Sequence, residues 1–140
     1  MKTLSVSTRA RQEVQDLSGQ VASLVAASGV AEGLCHVFVP HTTAGVTVNE
    51  NADPDVKRDI LYALGKLAPD DPGFRHAEGN SPAHLKSVLT GSSVLIPVTG
   101  GRMELGSWGG IYFCEFDGPR QRRVCVRVFG EDAAGKPRLL

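Results

Sequence analysis

The stretch Ile111-Tyr112-Phe113-Cys114-Glu115-Phe116, followed by Asp117-Gly118-Pro119-Arg120 and then by Val124-Cys125-Val126-Arg127-Val128-Phe129, decides the fold class. Both flanks are rich in β-branched and aromatic residues, which suit a pleated, half-buried surface. The turn residues between them predict two successive strands on a short connection. Just upstream, Val94, Ile96 and Val98 recur with period two on one face of another strand. Gly100-Gly101 turns the chain, and Met103 and Leu105 offer a short partner strand. Gly106-Ser107-Trp108-Gly109-Gly110 reads as a flexible loop, with a core anchor as the default role for its tryptophan.

The first two-thirds of the chain mixes both periodicities. Leu4-Ser5-Val6-Ser7 alternates as a strand does, and Val14 and Leu17 suggest a short strand pairing with it. Ser18 is placed to cap a helix carrying Val21, Leu24, Val25 and Ala26, closed by Gly29. Strands follow over Gly33 to Val39 and Thr42 to Val48, interrupted at Pro40-His41. Asp53-Pro54 is a cap followed by a proline at the first helical position, and Val56, Ile60, Leu64 and Leu67 recur at helical spacing behind it. Pro69 to Gly73 ends that helix. Ser81-Pro82 repeats the cap signal for a third helix, which runs through Leu85, Val88 and Leu89 to Gly91. The polar tail from Glu131 to Leu140 is expected to fray. Adjacent strands with three interspersed helices predict an α+β fold with an antiparallel or mixed sheet, in a single domain over residues 1–140.

Composition narrows the function classes. At 140 residues, 41% hydrophobic and 21% charged, the chain is an ordinary globular domain. Fifteen basic residues balance fifteen acidic ones, so no overall field points to nucleic acid or to an anionic membrane, and an oligomer is weakly favoured. No segment approaches the ~20 apolar residues of a membrane span. Cys35, Cys114 and Cys125 lie in apolar runs without metal-type spacing. They predict reduced, buried thiols and a cytoplasmic setting.

Chemistry is concentrated in His76-Ala77-Glu78-Gly79-Asn80-Ser81-Pro82-Ala83-His84-Leu85-Lys86, which holds two of the four histidines. A tight turn can bring His76 and His84 together, and His41 at a strand break could complete a three-histidine zinc site. His36, in mid-strand, reads as structural. His76-Ala77-Glu78 matches the start of the zinc deaminase signature, but no Pro-Cys-x-x-Cys follows and that reading fails. Of the acids around the second helix start, Asp53 and Asp55 suit the cap and the dipole. Glu50 and Asp59 are left over as candidate ligands of Mg²⁺ or of a phosphate–magnesium substrate. Lys86, Arg102 and Arg120 are candidate anion holders, and the amides behind Ser81 could add to them.

These motifs add up to a resemblance. His41-Thr42-Thr43-Ala44, Asn49-Glu50-Asn51-Ala52-Asp53, Asp59, His76 through Lys86, Gly101-x-Met-x-Leu105-Gly106-Ser107-Trp108 and Glu115-Phe116-Asp117-Gly118-Pro119-Arg120 resemble the YjbQ-like family, also labelled the secondary thiamine-phosphate synthase family. One departure stands at Gly109, where that family usually has glutamine. The resemblance implies a two-sheet β core, a homotrimer with clefts near subunit boundaries, and one pocket holding His41, His76 and His84, with Glu50, Asp59 and Arg120 nearby. Asn80, Ser81, Lys86 and Arg120 are the expected substrate or anion holders, and His41, His76 and His84 the expected ligands of a divalent metal, zinc on the histidines or Mg²⁺ held by the acids. The label implies coupling of a hydroxymethylpyrimidine diphosphate to a thiazole phosphate. A metal-dependent hydrolase and a non-catalytic trimer binding a phosphorylated or anionic metabolite are the two alternatives; neither nucleic acid nor membrane is an expected partner.

Overall fold

The computed structural model describes residues 1–140. The elements run β1 (Lys2–Ser7), β2 (Glu13–Asp16), α1 (Ser18–Ser28), β3 (Glu32–Phe38), β4 (Ala44–Glu50), α2 (Pro54–Leu67), α3 (Ser81–Thr90), β5 (Ser93–Thr99), β6 (Arg102–Met103), β7 (Gly109–Glu115), β8 (Gln121–Glu131) and β9 (Pro137–Leu139). A large antiparallel sheet has the order β1-β8-β3-β5-β6, with β9 also paired to β8, and a small one has the order β2-β7-β4. The fold is α+β, as the strand runs predict.

Strand parity explains the layers. In β8, Val124, Val126 and Val128 face inward and are fully buried, while Arg123 and Arg127 alternate outward. They meet Ala44 and Val46 of β4 and Ile111 and Phe113 of β7 in one core of 17 buried residues, joined by Leu17, Val21 and Val25 at α1. The other face of β7 is covered too. Tyr112, Cys114 and Phe116 form a second cluster with Ala83 of α3, against Ile60, Leu61 and Leu64 of α2. Burial on both faces is why this strand reads as a continuous apolar run instead of alternating. The result is three layers, with the small sheet between the large sheet and α2–α3.

Local signals behave as expected at two helix ends. Asp53 caps α2 by accepting from Asp55 N–H at 2.9 Å, and Gly29 ends α1 in the left-handed region at φ 71°. Elsewhere tertiary contacts override them. Asn80, one residue earlier than Ser81, is the N-cap of α3, and Ser81-Pro82 are its first helical residues. β2 pairs with β7 instead of β1, with Asp16 opposite Tyr112. Leu17 caps α1, while Ser18 Oγ accepts from Ile111 N–H at 2.9 Å. Trp108 is 65% exposed and anchors nothing in the core. At the departure from the family pattern, a Cβ on Gly109 would collide with the Leu105 carbonyl oxygen, so glycine suits the local path. Cys35 and Cys114 are buried and free, and burial pushes their thiols up to about 11 and about 12; Cys125 is half-buried. No helix is long and apolar enough to cross a membrane.

The tail does not fray. Asp132 accepts from Ala134 and Lys136 N–H and pairs with Arg138 at 3.0 Å, turning the chain so that β9 extends the sheet along β8 and Leu140 packs on the main core. Truncation after Glu131 should therefore lower the thermal midpoint by several degrees. A midpoint equal to that of the full chain would put the tail back in solvent.

Candidate functional site

Glu115 and Arg122 would each be costly to bury alone, and they are buried together. Glu115 follows Ile111 and Phe113 on the inner face of β7, and Arg122 precedes Val124 on the inner face of β8. Both therefore point between the sheets, at 0% and 6% exposure. Arg122 Nη2 lies 2.6 Å from Glu115 Oε2, and Nε donates to Oε1 at 3.0 Å. Nη2 also donates to Thr43 Oγ1 at 2.8 Å, and Thr8 donates its hydroxyl to Glu115 Oε1 at 2.7 Å. The Phe116 and Asp117 amides complete the carboxylate's partners at 3.2 and 3.3 Å. This leaves Arg122 Nη1 as the one guanidinium nitrogen with no protein partner.

Over this pair opens a pocket of about 400 Å³, and Pro40 is the sole apolar residue in its lining. The β3–β4 connection brings His41, Thr42 and Thr43 to it. The turn before α3 brings His76, Glu78 and Asn80, α3 brings His84, and the β7–β8 connection brings Arg120 and Arg122. Here His41 accepts the Arg123 N–H on Nε2 at 3.0 Å, and burial, then the Arg122 and Arg123 charges, push its imidazole below the usual range. The rings of His76 and His84 meet edge to face with centroids 5.2 Å apart. Asn80 Nδ2 donates to Asp117 Oδ2 at 2.9 Å, which holds that carboxyl below the usual carboxylate range, aided by Arg120 at 2.8 Å.

Two neighbouring depressions widen the pocket on either side of His84. One contains Phe74, Ser81 and Leu85 and shares His76 and His84 with it. The other contains Ser87, Val88 and Ser92 and shares His41, Thr42 and His84.

The structure thus brings together His41, His76, His84, Asn80 and Arg120, and separates the rest. Glu50 ends β4 six residues beyond Ala44, roughly 20 Å along the strand from the pocket. Asp59 stands on α2 with its side chain 70% exposed, beside Arg58. Ser81 lines only the apolar side depression. Lys86 is buried on the sheet-facing side of α3 and is absent from the pocket lining, and desolvation, then Arg11, lowers its ammonium. Arg102 borders a different groove, against α1.

The Asn49–Asp53 motif is largely architectural. Asn51 Nδ2 donates to Asp16 at 2.8 Å across Gly110, where a Cβ would collide with the Asn51 side chain, and Asp53 caps α2. The three histidines share the pocket but do not form a chelating set: no three His, Cys, Asp or Glu side chains are gathered closely enough to hold a metal ion. His41 Nε2 is already taken by a backbone N–H, and two guanidinium groups share the lining. The three-histidine metal expectation does not fit this donor arrangement.

Spacing rules do not single out Glu115 and Arg122 as a pair. The signal was present. A carboxylate between two phenylalanines needs a buried partner, and Arg122 shares its parity with Val124, Val126 and Val128. Glu115→Ala should destabilise the fold by about 3–5 kcal/mol by stranding Arg122. The double variant Glu115→Leu/Arg122→Met should recover most of that loss in urea unfolding. Equal losses in the single and the double would show that the pair is not what holds this end of the core.

Comparison with known proteins adds the relationship. The family model described as UPF0047 protein YjbQ-like matches residues 2–131. A UPF0047 protein of Methanocaldococcus jannaschii is 47% identical over 126 residues, 90% of this chain and 91% of that one. The UPF0047 protein YugU of Bacillus subtilis is 45% identical over 131 residues, 93% and 99% of the two chains. Among solved structures, a YjbQ/UPF0047 protein from Clostridium acetobutylicum superposes with a TM-score of 0.89 at 49% identity, covering 91% of this chain and 99% of that one. A protein of unknown function from Sulfolobus solfataricus does so with a TM-score of 0.89 at 32% identity, covering 93% and 96%.

Proposed function

This chain belongs to the YjbQ-like UPF0047 family, and from that premise we propose that its pocket binds a small phosphorylated metabolite. Arg120 and Arg122 hold the phosphate, and the His76–His84 pair serves a departing oxygen. The observation that carries this reading is Arg122. Its guanidinium is locked by Glu115 and Thr43, yet Nη1 is left unpartnered in a residue that lines the pocket. Donors oriented before the ligand arrives stabilise developing charge without reorganising. Each arginine has its own carboxylate, Glu115 or Asp117, so the two act as directed donors and not as a broad positive field.

Coupling of a pyrimidine methylene diphosphate to a thiazole phosphate is one reaction such a site suits. The lone pair of the thiazole ring nitrogen forms a bond to the methylene carbon as the carbon–oxygen bond to the diphosphate breaks, and that bond's electron pair leaves with pyrophosphate. The arginines would neutralise that charge, and an imidazole would donate a proton to the departing oxygen. General acid help of this kind is worth about 10²–10⁴-fold in rate. Anchoring magnesium on Glu50 and Asp59 finds no support, since both lie away from the pocket.

Assembly as a homotrimer is proposed from the family resemblance, with the exposed apolar side chains of α2 and α3 as support. Val88 is 79% exposed, Leu89 56%, Tyr62 65% and Leu67 70%, and α2 has no fully buried residue despite its apolar stripe. Helices that leave large apolar side chains exposed offer a surface for a second copy to cover. Light scattering should return three times the 14.9 kDa chain mass; a monomer across micromolar concentrations would overturn the trimer.

For the site, pyrophosphate should raise the thermal midpoint of the wild type, and Arg120→Ala should weaken its binding about tenfold. His76→Ala and His84→Ala should lower coupling by orders of magnitude while circular dichroism stays unchanged. Wild-type rates in both variants would sink the proton-transfer role. Stabilisation without turnover of any phosphorylated pair would leave a binding module, and absence of any anion binding would sink the whole reading.

A further inference from the structure

Asn80 occupies the N-cap of α3 without acting as one. An N-cap asparagine ordinarily turns its side-chain oxygen to the amides of the first helical turn. Here the Asn80 side chain makes no cap bond, and the Ala83 and His84 amides go to the Asn80 backbone carbonyl, at 3.0 and 3.4 Å. Its Nδ2 donates to Asp117 Oδ2 at 2.9 Å. That bond fixes the amide orientation, because the flipped form would set oxygen against a carboxylate that also accepts from Arg120. The free end is therefore Oδ1. It is buried and has no hydrogen-bond partner, in a residue only 7% exposed that lines the pocket.

A buried acceptor left open costs stability, and a native fold keeps one where something else completes it. An ionised phosphate oxygen does not complete it, since it has no hydrogen to donate. Two residues earlier, the Glu78 carboxylate lines the same pocket and forms neither an ion pair nor a hydrogen bond with the protein. The pocket therefore carries two kinds of function. Arg120 and Arg122 offer donors to an anion, while Glu78 offers a carboxylate and Asn80, in the same lining, keeps an open acceptor in its buried Oδ1.

We propose that the ligand of this pocket carries an N–H or O–H donor alongside its phosphate, and that Asn80 Oδ1 and Glu78 read that donor. The favoured class is an amino- or hydroxyl-bearing phosphate ester, and a plain alkyl phosphate is discriminated against. This inference rests on the phosphate-binding reading of the same pocket and narrows it. It also changes the part given to Asn80, from holding the anion to selecting what is attached to it.

Isothermal titration with three probes tests it: inorganic phosphate, ethyl phosphate and 2-aminoethyl phosphate. The wild type should bind 2-aminoethyl phosphate about tenfold or more tighter than ethyl phosphate, the scale of one hydrogen bond to a charged group. Asn80→Ala and Glu78→Ala should each narrow that ratio to about threefold or less. Glu78 is exposed, so its variant keeps the test open if Asn80→Ala fails to fold. Equal affinity of the wild type for the two esters, with inorganic phosphate bound, would overturn the donor inference alone. A wild-type preference that survives both substitutions would overturn the assignment to these residues. Failure of all three probes to bind would overturn the phosphate reading beneath it.

Discussion

The buried pair of Glu115 and Arg122 joins the two sheets at the end of the core where the pocket opens. Neither charge is tolerable alone in that position, since desolvation of an unpaired ion costs several kcal/mol. Their presence constrains four segments at once. Thr8 after β1, Thr43 before β4, the amides after β7 and the start of β8 all contribute bonds to the same two side chains. The connections carrying His41, Asp117 and Arg120 are therefore tied to a rigid centre, although they are loops. A pair of this kind adds less to stability than an apolar core of the same volume would. Its benefit here is position: it fixes, in the lining of the pocket, a guanidinium group that apolar packing could not have supplied.

The double burial of β7 has a matching consequence. Because one face of the small sheet meets the large sheet and the other meets α2 and α3, α3 is held on the same scaffold as the ion pair. Ala83 packs into the second cluster, and Ser87 donates to the Ala44 carbonyl at 2.7 Å. His84, between them in the chain, faces the pocket, where it meets His76. The His76 and His84 imidazoles and the Arg122 guanidinium come from opposite sides of the small sheet and meet at one end of it. At its other end the same sheet closes with Asp16, Asn51 and Gly110, so the two ends share strands and differ in chemistry.

Much of the architecture was legible from residue patterns. The three helices, the Asp53-Pro54 cap, the Gly29 stop and the strands at β5, β7 and β8 depend on local periodicity and local backbone chemistry. What failed locally failed for tertiary reasons. Ser81 looked like a cap because its neighbours are typical of one, but Asn80 was drawn into that place by Asp117, distant by 37 residues. The Glu131–Leu140 tail looked polar enough to fray, but its Asp132 turn returns it to β8. Trp108 looked like an anchor and is exposed.

Sequence alone determined which residues are chemically capable: the histidines, Asn80, Arg120 and the fold class that holds them are all readable from motif and period. Tertiary structure decided which of them meet. Glu50 and Asp59 belong to the same signature as His41, yet one lies at the far end of β4 and the other on the outer surface of α2, since a strand carries its residues away at about 3.3 Å each. Glu115 and Arg122 attracted no notice as a pair, seven residues apart across a turn, until strand parity set both between the sheets. The physical reason is general to this chain. Period and capping are properties of neighbours, whereas a pocket is made where segments remote in sequence are forced together by the burial of something that cannot be buried alone.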